Sequence, residues 1–167
     1  VFVAFFPQLV AGPIERAKNF IPQLLKKRIF SYSRFFRGID LILWGLLKKI
    51  VIADNIAYYV NFIFNLKEPS TLLIIVGTIG FGIQIFSDFS AYSDIARGSA
   101  KLFGIELMIN FKNPYLAKNP SDFWKRWHIS LSTWVRDYIY IPLGGSRVSK
   151  FRYLINIILT WFLMGLW

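Results

Sequence analysis

The stretch Leu72-Leu-Ile-Ile-Val-Gly-Thr-Ile-Gly-Phe-Gly-Ile-Gln-Ile-Phe86 is the longest clean apolar run in the chain and carries no charged side chain. An apolar run of this kind is typical of a helix that enters or crosses a membrane. Three of its residues, Gly77, Gly80 and Gly82, give the helix a face of small side chains, which lets a second helix approach closely. The sequence therefore predicts a membrane helix over 72–86 that packs against another helix.

Polar side chains continue this helix and fall on one face or beside it: Gln84, Ser87, Asp88, Ser90, Asp94 and Arg97. Acidic side chains at membrane depth are costly, so they normally face a protein interior or a wet cavity. For Asp94, pairing with Arg97 or Lys101 at the membrane surface and a functional role are both open. Asp88 lies deeper and has no cation one helical turn away, which favours a functional role.

Composition agrees with a membrane protein. The chain is 55% hydrophobic and 19% aromatic, yet it contains twenty Lys and Arg against nine Asp and Glu. Its basic residues lie between apolar runs, which is the positive-inside pattern of membrane proteins and disfavours nucleic-acid binding. With no cysteine and one histidine, disulfides and thiolate sites are excluded and a metal site is disfavoured.

The structure of the segments before the helix over 72–86 is harder to predict. Residues 1–6 resemble the tail of an apolar helix that Pro7 and Gly12-Pro13 break. Residues 15–37 are typical of a basic surface loop with a surface-lying helix. Residues 39–66 are apolar but interrupted by charged side chains. They predict either a span that begins near Ile50 or a re-entrant or interfacial helix pair. After the middle of the chain, residues 152–167 predict another membrane helix.

The only histidine, His128, lies in a segment with clear helix signals. Asn119 is a good N-cap, Pro120 suits the first helical position, and Pro142 with the following glycines ends the pattern. The sequence predicts one helix from Pro120 that carries His128, with an aromatic stripe at steps of three and four: Phe123, Trp127, Leu131, Trp134 and Tyr138. An interfacial amphipathic helix without chemistry would explain this stripe.

An interfacial helix without chemistry explains His128 less well, because histidine is the side chain that exchanges protons near neutral pH. On a continuous helix His128 shares a face with Trp124, Ser132 and Arg136. Ser132 would orient the imidazole by a hydrogen bond, and Arg136 would meet a phosphate or carboxylate. Spacing alone leaves a catalytic or binding role and a merely structural histidine both open.

The long run Phe123-Trp-Lys-Arg-Trp-His-Ile-Ser-Leu-Ser-Thr-Trp-Val-Arg-Asp-Tyr-Ile-Tyr-Ile-Pro-Leu-Gly-Gly145 resembles the signature of membrane-bound O-acyltransferases. Three further stretches match the same family in the expected order: Phe5-Phe-Pro-Gln-Leu-Val-Ala-Gly-Pro-Ile14, Gln84-Ile-Phe-Ser-Asp-Phe-Ser-Ala-Tyr-Ser-Asp-Ile-Ala96 and Asn113-Pro-Tyr115. The ending Ile141-Pro-Leu-Gly-Gly-Ser-Arg147 looks most like the alginate O-acetyltransferase branch, with the D-alanyl transfer protein of teichoic acid modification as the nearest alternative.

The resemblance implies an all-α polytopic membrane protein with transmembrane helices plus re-entrant or interfacial amphipathic helices around a tunnel. It implies a bacterial inner-membrane enzyme without a cofactor, which uses an acyl thioester such as acetyl-CoA or an acyl carrier. The acceptor is a polysaccharide hydroxyl, reached with periplasmic or extracellular acylation proteins. His128 is the implied catalytic residue, and the supporting residues are Trp124, Trp127, Ser132, Arg136, Asp137 and Asp88.

The family's principal histidine follows a Gly-Leu-Trp motif, and this sequence ends at Gly165-Leu-Trp167. We therefore expect residues 1–167 to be one partial domain of a longer protein, inactive by itself. Two other classes stay open from the residues alone. Asp88 and Asp94 would suit a transporter, and the basic amphipathic segments would suit a peripheral interaction module.

Overall fold

The computed structural model describes residues 4–9, 12–27 and 29–166, and within these ranges it contains helices and irregular segments but no β-strand. The all-α prediction is therefore confirmed for the described residues. Contacts divide the chain into two compact units, Val1–Ile109 and Asn110–Trp167, and each is described by itself. That residues 1–167 form one partial domain stays a prediction.

Helix bounds in the first unit are as follows: α1 (Phe6–Leu9), α2 (Ala17–Leu25), α3 (Tyr32–Leu47), a π-helical segment (Lys48–Ala53), α4 (Asp54–Phe64) and α5 (Thr71–Leu102). In the second unit they are a 3-10 turn (Pro114–Leu116), α6 (Pro120–Trp124), α7 (Ile129–Val135), a second π-helical segment (Arg136–Tyr140) and α8 (Lys150–Leu166).

Helix α5 confirms the helix predicted over 72–86 and carries it on to Leu102. The Ser70 side chain accepts a hydrogen bond from the Leu73 N–H at 3.4 Å and so caps its first turn. Its 32 residues span about 48 Å at the rise of an α-helix, against about 30 Å of bilayer hydrocarbon. Among the described helices, α5 is the one long and apolar enough to cross a membrane.

Helices α3 and α4 form one bent helical path, because the π-helical segment between them keeps right-handed helical dihedrals at both junctions. A π-turn leaves some carbonyl groups without their usual α-helical partners. The Asn55 side chain donates to the carbonyls of Ile50 and Val51 at 2.9 and 3.0 Å, which stabilises the bend. The interruption by Lys48 and Lys49 thus marks a bend within a helix.

Glycines set the antiparallel packing of this bent path on α5. A Cβ on Gly45 would lie 2.8 Å from the Ala91 carbonyl oxygen. At the other end of α5, a Cβ on Gly77 or Gly80 would meet side chains of α4 at 3.0 Å. The predicted small-residue face of α5 is therefore confirmed at Gly77 and Gly80.

Ion pairs join the bend to α5. Nζ of Lys48 donates to Asp94 at 2.7 Å and to the Ser90 hydroxyl at 3.0 Å, and Asp94 also accepts from Arg97 at 3.1 Å. The pairing of Asp94 with Arg97 is confirmed, whereas Lys101 instead pairs with Glu106 at 2.8 Å.

Asp88 does have a cation beside it. Nζ of Lys49 lies 2.8 Å from its Oδ1 and 2.7 Å from Oδ1 of Asp54. No cation lies one turn from Asp88 along α5, but a neighbouring helix supplies Lys49, so the lack of a cation on its own helix does not favour a functional role. A π-turn holds more residues than an α-turn, so consecutive side chains diverge less and both lysines can reach α5.

We expect Asp94→Asn to destabilise the protein by about 2 kcal/mol, since it leaves the mostly buried Lys48 and Arg97 as adjacent uncompensated cations. The side chains of Lys48 and Asp94 are 13% and 19% exposed. Asp54→Asn is the matched control, because its half-exposed pair should contribute less than about 1 kcal/mol. Chemical denaturation of the whole protein in detergent measures the loss of unfolding free energy in both variants. Equal losses in the two variants would contradict this ranking.

The N-terminal residues pack around Phe20 of α2, which is fully buried with Ala100 and Ile105. The buried Glu15 carboxylate accepts from the Met108 N–H at 3.0 Å and so ties this region to the segment after α5. Pro7 lies inside the short α1 and does not end a helix there. The break predicted at Pro7 is therefore wrong, because proline is tolerated in a first helical turn, whereas α1 ends at Leu9, before the predicted break at Gly12-Pro13. The predicted apolar tail at residues 1–3 lies outside the described residues.

Candidate functional site

The second unit begins its helix α6 where the sequence predicts. The Asn119 side chain accepts from the Asp122 N–H at 2.8 Å, so Asn119 caps α6. One turn later Arg126 Nε donates to Asp122 at 2.9 Å, and this hydrogen bond holds the pKa of the Asp122 carboxyl below its usual range. Helix α6 nevertheless ends at Trp124.

The predicted continuous helix through His128 is wrong. His128 has φ 41° and ψ 56°, the left-handed conformation, and precedes α7 as its N-cap residue. A non-glycine residue in this region is uncommon and costs on the order of 1 kcal/mol per residue. Hydrogen bonds from outside the helix hold the break: the Lys112 N–H donates to the Arg126 carbonyl at 2.9 Å.

The break changes which side chains share a face. The Ser132 hydroxyl donates to the Trp127 carbonyl at 3.1 Å, so its proton is not given to the imidazole as helical spacing predicted. The aromatic stripe is likewise divided into two groups. Phe123 stacks on Trp127 at 5.6 Å before the break, and Trp134 contacts Tyr138 at 5.2 Å after it.

Asn110 is a residue that the sequence interpretation missed. It is 1% exposed. Its carbonyl accepts from the Ile129 N–H at 2.9 Å and its Oδ1 accepts from the Ser130 N–H at 3.3 Å. The first two N–H groups of α7, which a helix leaves without internal partners, are therefore satisfied by Asn110. The nearest sequence signal was the asparagine-rich segment that starts here.

His128 is half-buried, and burial lowers its pKa to about 4. The imidazole is therefore neutral at pH 7 and has one nitrogen able to accept a hydrogen bond or a proton. A neutral form is the one a proton-accepting group needs.

The same burial predicts an acid-sensitive contribution to stability. Because the folded-state pKa lies below the unfolded value near 6.5, protonation favours the unfolded chain. The resulting loss of folding stability is absent above pH 6.5 and grows as the pH falls towards 4. We expect the stability of wild type relative to His128→Asn to be constant above pH 6.5 and to decline below it. Denaturation of both proteins across pH 4.5–8 measures this, and a constant difference would contradict it.

A largely apolar cavity of about 380 Å³ lies between α6, α7 and α8. Its lining includes three predicted supporting residues, Trp124, Ser132 and Arg136, and leaves His128, Trp127 and Asp137 outside. One wall is made by Trp161, whose ring contacts Trp124 edge-on at 4.7 Å. The cavity can take an apolar group with a polar or anionic end.

Arg136 and Asp137 are neighbours and partners: Arg136 Nε donates to Asp137 at 2.7 Å. This bond uses one of the five N–H donors of the guanidinium. The chain then turns at Gly144 and Gly145, both with positive φ, so the predicted stop is confirmed. Asn156 of α8 donates to the Gly145 carbonyl at 3.1 Å and secures this turn. Helix α8 confirms a helix over the predicted residues up to Leu166, and its place in a membrane stays a prediction. Trp167 lies outside the described residues.

Asp88, the remaining predicted site residue, belongs to the first unit and lies on α5 beside Lys49. Over residues 4–9, 12–27 and 29–166 there is no group of three or more His, Asp or Glu side chains that could hold a metal ion. The roles of His128 and its predicted supporting residues stay predictions.

Over the described residues, these features define an all-helical chain with one helix long and apolar enough to cross a membrane. The family model of the membrane-bound O-acyltransferases matches residues 1–167, and the chain belongs to this family. It is 43% identical over 166 residues to a probable alginate O-acetylase of Pseudomonas putida, covering 99% of this chain and 34% of that protein.

Two other relatives extend the comparison. A peptidoglycan O-acetyltransferase of Helicobacter pylori is 42% identical over 171 residues, covering 100% of this chain and 32% of that protein. A teichoic acid D-alanyltransferase of Bacillus subtilis is 32% identical over 180 residues, covering 99% of this chain and 45% of that protein. The chain thus spans about a third of the length of the two O-acetylating relatives.

Proposed function

We propose that the whole protein is a membrane O-acyltransferase that moves an acyl group, acetyl, from a thioester donor to hydroxyl groups of an exported or cell-surface polysaccharide. The match to the family over the full chain carries this proposal. The higher identity to the two O-acetylating relatives than to the D-alanyltransferase favours acetyl as the group transferred.

The site geometry is compatible with this chemistry. A sugar hydroxyl is a poor nucleophile near neutral pH, and a neutral imidazole can accept its proton or a hydrogen bond as it attacks a thioester carbonyl. His128 is half-buried and neutral at pH 7. In the proposal it assists proton transfer, orients the acceptor or steadies the developing oxyanion, alongside the principal base that the family resemblance implies.

The supporting residues receive roles from their contacts. The apolar walls of the 380 Å³ cavity, with Trp124 among them, exclude water from the acyl donor and so suppress hydrolysis. Arg136 at the cavity contacts an anionic group of the donor, and Asp137 holds its guanidinium in place. Trp127 packs between Phe123 and Phe111 and supports the His128 turn. Asp88 joins α5 to the bent helix through Lys49.

The proposal extends to the setting of the protein. It is a multi-pass protein of the bacterial inner membrane, with helices beyond α5 that cross or enter the lipid. It needs no cofactor other than the thioester co-substrate, such as acetyl-CoA or an acyl carrier. It binds no nucleic acid and passes the acyl group to the polysaccharide with periplasmic or extracellular acylation proteins. D-alanyl transfer to teichoic acid is the second candidate, and the 32% identity to the D-alanyltransferase favours it over a non-enzymatic role.

The test is transfer by the whole protein reconstituted in vesicles. Radiolabelled acetyl-CoA, an acetylated carrier protein and a D-alanylated carrier protein are supplied in separate reactions with a polysaccharide acceptor. We expect alkali-labile label in the polymer from an acetyl donor. Label from the D-alanyl donor alone selects the second candidate. Folded protein that forms no ester with any donor would contradict the acyltransferase proposal. A transporter and a peripheral interaction module would then be the remaining hypotheses.

A further inference from the structure

The turn that carries His128 is held from both sides by one short segment, residues 110–112. The Lys112 N–H donates to the carbonyl of Arg126, two residues before His128. Asn110 accepts from Ile129 and Ser130, the two residues after it. Three hydrogen bonds therefore bracket a residue whose backbone stands in an unfavourable conformation.

A helix N-cap residue usually satisfies the first free N–H groups with its own side chain. His128 occupies this position in α7 but makes no capping hydrogen bond with its side chain. Asn110 supplies both acceptors from elsewhere in the chain, one from its backbone and one from its side chain. Asn110 therefore caps α7 in place of the His128 side chain, and the imidazole is not needed as a cap.

We infer that Asn110 is a positioning residue for His128, which sets the direction of the imidazole by fixing the N-terminus of α7. This inference rests on the proposed function of His128. Asn110 and Ser130 are each 1% exposed, so water cannot replace the side-chain acceptor if it is lost. The left-handed conformation persists only while its surroundings hold it.

The consequence for the reaction is geometric. With the Asn110 side chain removed, the buried Ser130 N–H needs another acceptor. The nearest way to supply one is to rotate the turn so that the side chain of residue 128 caps the helix itself. The imidazole then points at the backbone of α7 instead of at a substrate. Small displacements of a catalytic group of this kind lower turnover steeply.

The experiment compares Asn110→Ala with Asn119→Ala in the whole protein. Both substitutions remove a side-chain acceptor that caps a helix of the second unit, at 3.3 Å to the Ser130 N–H and at 2.8 Å to the Asp122 N–H. Only Asn110 borders His128. We expect Asn110→Ala to lower kcat for acyl transfer by at least tenfold with KM for the donor changed less than twofold. Asn119→Ala should change kcat less than twofold, and it should cost less thermal stability because Asn119 is exposed and water can replace its acceptor.

Rescue separates positioning from simple destabilisation. Asn110→Asp keeps an oxygen acceptor for the Ser130 N–H, so we expect it to recover most of the kcat that Asn110→Ala loses. Equal kcat losses in Asn110→Ala and Asn119→Ala, or a low kcat in Asn110→Asp at wild-type stability, would overturn the inference.

Failure of the proposed role of His128 looks different. In that case His128→Asn retains wild-type transfer, and no result at Asn110 bears on catalysis. If His128→Asn abolishes transfer while Asn110→Ala behaves like its control, the function of His128 stands and the positioning role of Asn110 is rejected.

Discussion

Replacing His128 with asparagine in the whole protein should lower kcat for acyl transfer by about 100-fold or more, the usual contribution of a positioned proton-transfer group. Asparagine can hydrogen-bond but cannot accept a proton near neutral pH. It also tolerates the left-handed backbone that His128 adopts at φ 41°. A loss of activity in this variant therefore reports on the imidazole, whereas His128→Ala would add backbone strain to the loss.

Two further variants make the result specific. His128→Gly removes the side chain and accepts positive φ without strain, so its kcat should fall as far as that of His128→Asn. Lys125→Gln changes an exposed residue in the same turn region and should leave kcat within twofold of wild type. Initial rates of label transfer from a saturating labelled thioester give kcat for all three variants. Wild-type kcat in both His128 variants would remove His128 from the mechanism.

Local signals in the sequence located α5 and the start of α6 well, because the forces that fix these helices are local. Asn119 and Pro120 fix the beginning of α6 through a cap and a preset dihedral. The run from Leu72 likewise produces α5 without help from distant residues. The glycine face at Gly77 and Gly80 followed from the same logic, because close helix packing requires small side chains at helical spacing.

The interruption at His128 could not be read in the same way. Nothing between Pro120 and Pro142 breaks a helix by propensity, and the aromatic periodicity favours an uninterrupted one. The break depends on hydrogen bonds from Asn110 and Lys112, which lie many residues earlier in the chain. Tertiary hydrogen bonds of buried groups outweigh helix propensities of a few tenths of a kcal/mol per residue.

The cation beside Asp88 was missed for the same reason. A search one turn along α5 finds no lysine or arginine for Asp88, whereas the structure brings Lys49 from the bent helix to 2.8 Å. Residues far apart in sequence become neighbours through the antiparallel pairing. The spacing of charges along one helix cannot show this.

The antiparallel pairing itself should fail when Gly98 of α5 gains a side chain. A Cβ at this position would lie 2.6 Å from the Gly38 carbonyl oxygen and 3.0 Å from the Ile42 backbone nitrogen. Backbone atoms cannot turn aside as a flexible side chain can, so the two helices must separate. We expect Gly98→Ala to destabilise the protein by about 2 kcal/mol and Gly98→Leu by more.

Gly80 supplies a control of lower severity. A Cβ on Gly80 meets only side-chain atoms, the nearest being Cγ2 of Val60 at 3.0 Å, so Gly80→Ala should cost less stability than Gly98→Ala. Apparent melting temperatures of the whole protein in detergent rank the two variants. If Gly98→Ala melted as high as Gly80→Ala, α3 and α5 would not pack through these glycine backbones.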